Sequence, residues 1–145
     1  MKDIRIDEET KKLLIEKAKE VLPNSYAPYS HYNVGAAALF SSGNIYVGVN
    51  VESALLGGTL CAERNAITTA VTKGERHLIA IAVTGGPNFD TDSEYCVPCG
   101  ACRQVMRDFA DKDSMLVLCA KSTEDFKEFT LEELLPSSFG PEYLL

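Results

Sequence analysis

Two short stretches, Cys61-Ala62-Glu63-Arg64 and Pro98-Cys99-Gly100-Ala101-Cys102, set three thiols and one carboxylate in a pattern that few folds can satisfy. Cys99 and Cys102 stand three residues apart, so the first turn of a helix puts them on one face. Pro98 suits a helix start, where a missing N–H costs no intrahelical bond. The partial positive charge of a helix N-terminus favours thiolate over thiol, and thiolate is the form that binds metal. Cys61 and Glu63 are two apart and would face different ways inside a regular helix. With Cys61 at the cap of a helix running to Gly74, its thiol can still meet the other two while Glu63 turns to the open side. The core face of that helix is then Ala66, Ile67, Ala70 and Val71. A chain that obeys this pattern must aim two helix N-termini at one point.

Three thiolates on a zinc ion leave the fourth tetrahedral position open to water, the arrangement of a catalytic site. Glu63 beside it reads as the group that takes that water's proton. Cys96 keeps a different reading open. Cys96, Cys99 and Cys102 are evenly spaced, and with Cys61 they would close a four-thiolate structural site that cannot activate water. The run also matches part of an iron–sulfur pattern, but Met106 takes the place of the fourth cysteine and no proline follows. Cys96 and Cys99 further have the spacing of a redox dithiol. Cys119, in an apolar run, reads as an inert buried thiol. His31 and His77 lie outside ligand spacing. Five cysteines, three of them at metal spacing, fit a reducing compartment better than a disulfide framework.

Further stretches run in order through nearly the whole chain: Tyr26-Ala27-Pro28-Tyr29-Ser30, Val34-Gly35-Ala36-Ala37, Gly48-Val49-Asn50-Val51-Glu52, Pro98 through Gln104, and Glu132-Glu133-Leu134-Leu135-Pro136. Together with the two cysteine stretches they resemble the landmarks of the small cytidine deaminases whose zinc ligands are all cysteine. Cys-x-Glu followed by Pro-Cys-x-x-Cys is the zinc deaminase signature.

The resemblance implies one zinc ion per subunit on Cys61, Cys99 and Cys102, with Glu63 moving protons in the hydrolytic deamination of cytidine and deoxycytidine. It places Arg64 against a ligand thiolate and gives Gln104 a supporting role. Asn50 and Glu52 fall where the family binds the ribose 3′-hydroxyl, Tyr32 lies near the pyrimidine, and Ala62 belongs to the substrate-binding set. It also implies a cytoplasmic homotetramer of pyrimidine salvage with shared active sites, in which Phe139 stacks on the base in an adjoining subunit. Ser53 stands where Asn is common, and Leu56 where an aromatic is usual. The alternatives are therefore a relative acting on another aminopyrimidine nucleoside, such as blasticidin S, or a zinc domain without chemistry.

Charge narrows the partners. A net charge of -7 argues against a surface that tracks phosphates, so nucleic acid is not the expected partner. No cationic leader and no apolar run of membrane-spanning length is present, which predicts no membrane association. At 145 residues the chain is expected to form one domain over residues 1–145.

The remaining periodicities supply its elements. A first helix is predicted over about Asp7–Val21, with Leu14, Ala18, Val21 and Leu22 inward, ending at Pro23-Asn24-Ser25. Ser30–Ser41 and Ile45–Asn50 read as a hairpin around Ser42-Gly43. His77–Thr84 is a doubly buried strand, Gly85–Val97 a loop, and Cys99 opens a helix with Val105, Met106 and Phe109 inward. Met115–Cys119 is a further strand and Phe126–Phe129 an edge strand. Thr130 opens a capping box on a short helix that stops at Pro136. These elements predict a three-layer α/β/α sandwich around a mixed sheet of about five strands.

Overall fold

A computed structural model describes residues 6–145; residues 1–5 of the expected 1–145 unit lie outside the described residues. Five strands form one mixed sheet: β1 (Tyr32–Phe40), β2 (Ile45–Val49), β3 (Leu78–Pro87), β4 (Leu116–Ala120) and β5 (Phe126–Thr130), in the order β2-β1-β3-β4-β5. β1 pairs antiparallel with both β2 and β3, β3 pairs parallel with β4, and β5 closes the edge antiparallel to β4. A parallel pair cannot be joined by a tight turn. The β3–β4 connection accordingly carries α3 (Gly100–Phe109), while α1 (Glu8–Val21), α2 (Ala62–Thr72) and α4 (Leu131–Leu134) complete the helices.

Alternation along the central strands builds two cores. Ala37 and Leu39 of β1 join Ala80, Ala82 and Leu118 beneath Leu14, Ile15 and Ala18 of α1. Ala36, Ala38 and Phe40 face the other way, against Ala66 and Ile67 of α2 and Met106 of α3. The three-layer sandwich expected from the element order is what forms. α1 begins where Asp7 accepts a hydrogen bond from the Thr10 N–H at 2.8 Å, with Glu8 and Glu9 in its first turn. At α4, Thr130 and Glu133 exchange both bonds of the predicted capping box. Among the described residues no helix is long and apolar enough to cross a membrane.

Three details differ from the sequence reading. On α1, Ile15 is buried with Leu14 and Ala18, whereas Val21 is only partly covered. β3 does not stop at Thr84 but runs on to Pro87, because Tyr32, Asn33 and Val34 at the start of β1 pair with Pro87, Gly86 and Gly85. The expected loop begins only at Asn88 and Phe89, both in the left-handed region (φ 49° and 64°). On α3 the buried positions are Cys102, Met106 and Arg107, with Val105 and Phe109 partly covered. Arg107 is buried because the C-terminal segment folds over it: its Nε donates to Ser138 Oγ at 2.7 Å, and its Nη2 pairs with the Glu142 carboxylate.

Candidate active site

The N-termini of α2 and α3 meet at one end of the sheet. Cys61 caps α2 with extended backbone (φ -71°, ψ 154°), and Cys99 caps α3 in the same way (φ -68°, ψ 165°). Neither thiol accepts a capping bond from the backbone N–H groups of its own helix, so both can turn toward a common centre. Cys102 follows one turn into α3 and is fully buried. The Sγ atoms of Cys61 and Cys99 lie 3.8 Å apart and those of Cys99 and Cys102 3.5 Å, and all three fall within 4.8 Å of one another. A tetrahedral zinc with bonds near 2.3 Å would hold its sulfurs about 3.8 Å apart, so this donor set fits zinc in size and in chemistry. Cys96 is outside the cluster. Its thiol instead lines the neighbouring cavity, 5% exposed, and burial followed by the Glu63 charge pushes it up to about 12.

Cys61 and Cys102 are pushed in opposite directions. The Cys61 thiol is drawn down to about 5, first by the hydrogen bond from Cys102 and then by Arg64, while Cys102 is correspondingly raised. Arg64 reaches back one turn and places Nη2 3.3 Å from Cys61 Sγ. Three thiolates on a divalent cation leave a formal charge of about minus one, which weakens its pull on water. Arg64 and the two helix N-termini oppose that excess.

Glu63, the second residue of α2, is 4% exposed, and its side chain lies beside Cys102 at the wall of the cavity that Cys61 and Cys99 also line. Burial raises its carboxyl to about 7, with the Cys61 charge adding to the shift. A carboxyl balanced between its two protonation states near neutrality can both take and return a proton. The seat of this first turn is set from the sheet. A Cβ on Gly48 of β2 would lie 2.6 Å from Ala66 N and 2.7 Å from Ala62 O, so only glycine lets α2 approach this closely. Asn65 fixes the contact by donating to Val49 O at 3.1 Å.

Beside the thiols opens a cavity of about 270 Å³, walled by Tyr32, Asn50, Glu52, Ala62, Glu63 and Cys96, with Ser30, Thr59 and Val97 at its margin. The structure thus brings all the expected substrate residues but one to the cluster. Tyr32 donates its hydroxyl to Glu94 at 3.2 Å, and its ionisation is pushed up, chiefly by burial. Glu52 accepts from the backbone N–H groups of Tyr29 and Ser30 and from the Ser30 hydroxyl; these bonds, the hydroxyl's first, hold its carboxyl below the usual range. Asn50 is 8% exposed.

Phe139 lies elsewhere. It is 55% exposed, stacked on Tyr143 at 5.1 Å, and its carbonyl accepts from Gln104 at 2.7 Å. Leu56, 96% exposed, and Ser53 lie in the loop before Cys61, and neither lines the cavity. Sequence reasoning missed Ser25 and Asn33, whose side chains bond in a chain behind Asn50. Ser25 looked only like a helix terminator. It also missed Cys96 as a wall residue, which the metal-like spacing masked.

Two helix-capping thiols, a third thiol one turn on, and a buried near-neutral carboxylate facing a nucleoside-sized hollow are the makings of a metal-dependent hydrolase. Residues 8–118 match the sequence profile of the cytidine and deoxycytidylate deaminase zinc-binding region. The chain is 40% identical over 133 residues to a cytidine deaminase of Halalkalibacterium halodurans, covering 91% of this chain and 96% of that one. A probable cytidine deaminase of Dictyostelium discoideum is 38% identical over 135 residues, 90% and 87% of the two chains. The crystal structure of cytidine deaminase from Burkholderia pseudomallei superposes with a TM-score of 0.78 at 38% identity, over 88% of this chain and 97% of that one. The Mycobacterium tuberculosis cytidine deaminase structure gives 0.76 at 32% identity, over 94% and 99%. The chain belongs to the cytidine and deoxycytidylate deaminase family and carries its zinc-binding region.

Proposed function

We propose that the protein hydrolyses cytidine and deoxycytidine at C4, giving uridine and deoxyuridine with release of ammonia. The observation that carries this reading is the convergence of Cys61, Cys99 and Cys102 beside a buried, near-neutral Glu63 at the wall of a nucleoside-sized cavity. Zinc held by these three thiolates supplies a Lewis acid that makes water a nucleophile at neutral pH. The chain's own residues do the rest. Glu63 receives the proton of the attacking water on its carboxylate and delivers it to ring N3 as water adds at C4. It then takes the proton of the new C4 hydroxyl and gives it to the exocyclic amine, so that the C4 carbonyl forms, ammonia leaves and Glu63 is ionised again. Arg64 restrains the charge on Cys61. Asn50 and Glu52 hold the ribose 3′-hydroxyl, and Tyr32 and Ala62 flank the base.

Residues 1–145 act as one catalytic domain, and four copies assemble so that Phe139 of each completes a neighbour's site. The exposure of Phe139 and Leu56 supports that assembly, since both are large apolar side chains left facing solvent. The setting is pyrimidine salvage in the cytoplasm, on free nucleosides and not on nucleic acid.

The test is loss of the cytosine absorbance band with cytidine, deoxycytidine and blasticidin S in parallel, for the natural protein and Glu63→Gln. The variant is expected to lose about 10²- to 10⁴-fold in kcat while keeping one zinc per chain and its melting temperature. Equal turnover by Glu63→Gln, or cytidine ranking well below blasticidin S, would overturn the assignment.

A further inference from the structure

Behind the cavity wall runs a chain of hydrogen bonds whose polarity is fixed from both ends. Asn50 Oδ1 accepts from the Val34 N–H at 3.0 Å, and Asn50 Nδ2 donates to the Tyr32 carbonyl at 2.7 Å. A backbone N–H can only donate and a carbonyl can only accept, so the amide has one permitted orientation. At the far end Asn33 Oδ1 accepts from the Phe89 N–H at 3.2 Å, which turns Asn33 Nδ2 toward Ser25 Oγ at 3.1 Å. Ser25 must therefore spend its only proton on Asn50 Oδ1, 2.5 Å away. Asn33 is 4% exposed and Asn50 8%, so water does not compete freely for these bonds.

The count of what remains is short. Asn50 Oδ1 already takes two donors, and one N–H of Nδ2 is committed, which leaves one N–H. A carboxylate offers about four lone-pair directions. Glu52 has given two on Oε1 to the N–H groups of Tyr29 and Ser30 and one on Oε2 to the Ser30 hydroxyl, leaving one acceptor. One donor and one acceptor on the lining of the same cavity match a group that accepts once and donates once, a hydroxyl. An ether, a fluorine or a phosphate ester would leave the Glu52 oxygen unpaired or repel it.

We propose that Ser25, itself held by Asn33, is a positioning residue: it adds a third bond to the Asn50 amide that Val34 and Tyr32 already orient, and so steadies it against the sugar 3′-hydroxyl. The proposal rests on the nucleoside reading above. In it, Ser25 touches no substrate and acts only through Asn50.

Calorimetry in the Glu63→Gln background tests it without turnover, using cytidine and its 2′-, 3′- and 5′-deoxy analogues, with Ser25→Ala, Ser25→Thr and Asn33→Asp added singly. Asn33→Asp is nearly isosteric, keeps the Phe89 bond and offers Ser25 an acceptor, so it draws the hydroxyl away from Asn50 even if Ser25→Ala folds poorly. With Ser25 and Asn33 intact, the 3′-deoxy analogue should bind about 10- to 100-fold more weakly than cytidine. Ser25→Ala and Asn33→Asp should weaken cytidine about three- to tenfold and cut the penalty for the 3′-deoxy analogue by the same factor. Ser25→Thr, which keeps the hydroxyl, should restore both. An equal loss for all four ligands, or an undiminished penalty in both Ser25→Ala and Asn33→Asp, would overturn the proposal while leaving nucleoside recognition intact. No binding of any of the four by the Glu63→Gln parent would instead overturn the nucleoside reading, and this inference with it.

Discussion

Gly48→Ala is the substitution whose effect the structure fixes most closely, although Gly48 lies on β2 and does not line the cavity. The added methyl would sit 2.6 Å from Ala66 N, 2.7 Å from Ala62 O and 2.9 Å from Asn65 Cβ, against an ordinary contact of 3.4 Å or more. The obstacles at 2.6 and 2.7 Å are helix backbone, which no rotamer change can clear. The first turn of α2 must move away by about 0.8 Å, taking Glu63 and the cap residue Cys61 with it. Overpacking of this kind costs about 1–3 kcal/mol, which for a chain of this size lowers the melting temperature by about 3–10 °C. Displacing Glu63, the proposed proton carrier, by most of an ångström should reduce kcat about tenfold or more, since 1 Å of misplacement can cost about a hundredfold.

The control is Gly100→Ala. That position is next to Cys99 of the thiol cluster, but nothing lies within 4 Å of its Cβ and its φ is not positive, so the change should be neutral or stabilise by up to about 1 kcal/mol. Thermal melts, zinc content and steady-state rates of the two variants decide the matter. A Gly48→Ala protein with unchanged melting temperature and kcat would refute the idea that β2 sets the depth of the catalytic helix.

Other outcomes follow from single contacts. Arg64→Gln removes the cation 3.3 Å from Cys61 Sγ, and zinc retention against a chelator and kcat should each fall about 10- to 100-fold, read by metal competition and by rate. Thr130→Ala breaks the capping box of α4 and should lower stability by about 1 kcal/mol, a drop of about 2–4 °C, with kcat untouched because α4 lies outside the cavity lining. Arg107→Ala releases Ser138 and Glu142, which flank Phe139. Under the tetramer proposed above, activity per chain should then become concentration-dependent, with smaller species in sedimentation than the natural protein gives at the same dilution.

The metal cluster was legible in the chain because its signal is local: Cys99 and Cys102 share a helical turn, and Cys61 had to be a cap for Glu63 to face elsewhere. The capping box at Thr130 and the hairpin around Gly43 were local in the same sense. What escaped reading depends on partners far away in sequence. Gly85-Gly86-Pro87 has the composition of a loop, and only pairing with the start of β1 makes it strand. Arg107 has no apolar character, and its burial comes from a tail more than thirty residues on. Ser25 and Asn33 have the composition of turn residues. Their meaning appears only when Phe89 supplies the donor that orders them.

The middle of the sheet also governs how this protein can change. Ala36, Ala37, Ala38, Ala80 and Ala82 have no solvent exposure, and a Cβ on Gly35 would come within 2.3 Å of Ala18 O in α1. Helices press on both faces of strands that carry almost no side chain, so these positions can rarely accept a larger residue without parting a layer. Room for larger side chains is therefore small along β1 and β3 and greater at the exposed cavity margin, at Thr59 and Val97. An evolving or engineered descendant that acquires a new substrate is expected to do so by rewriting those margins around an unaltered alanine centre.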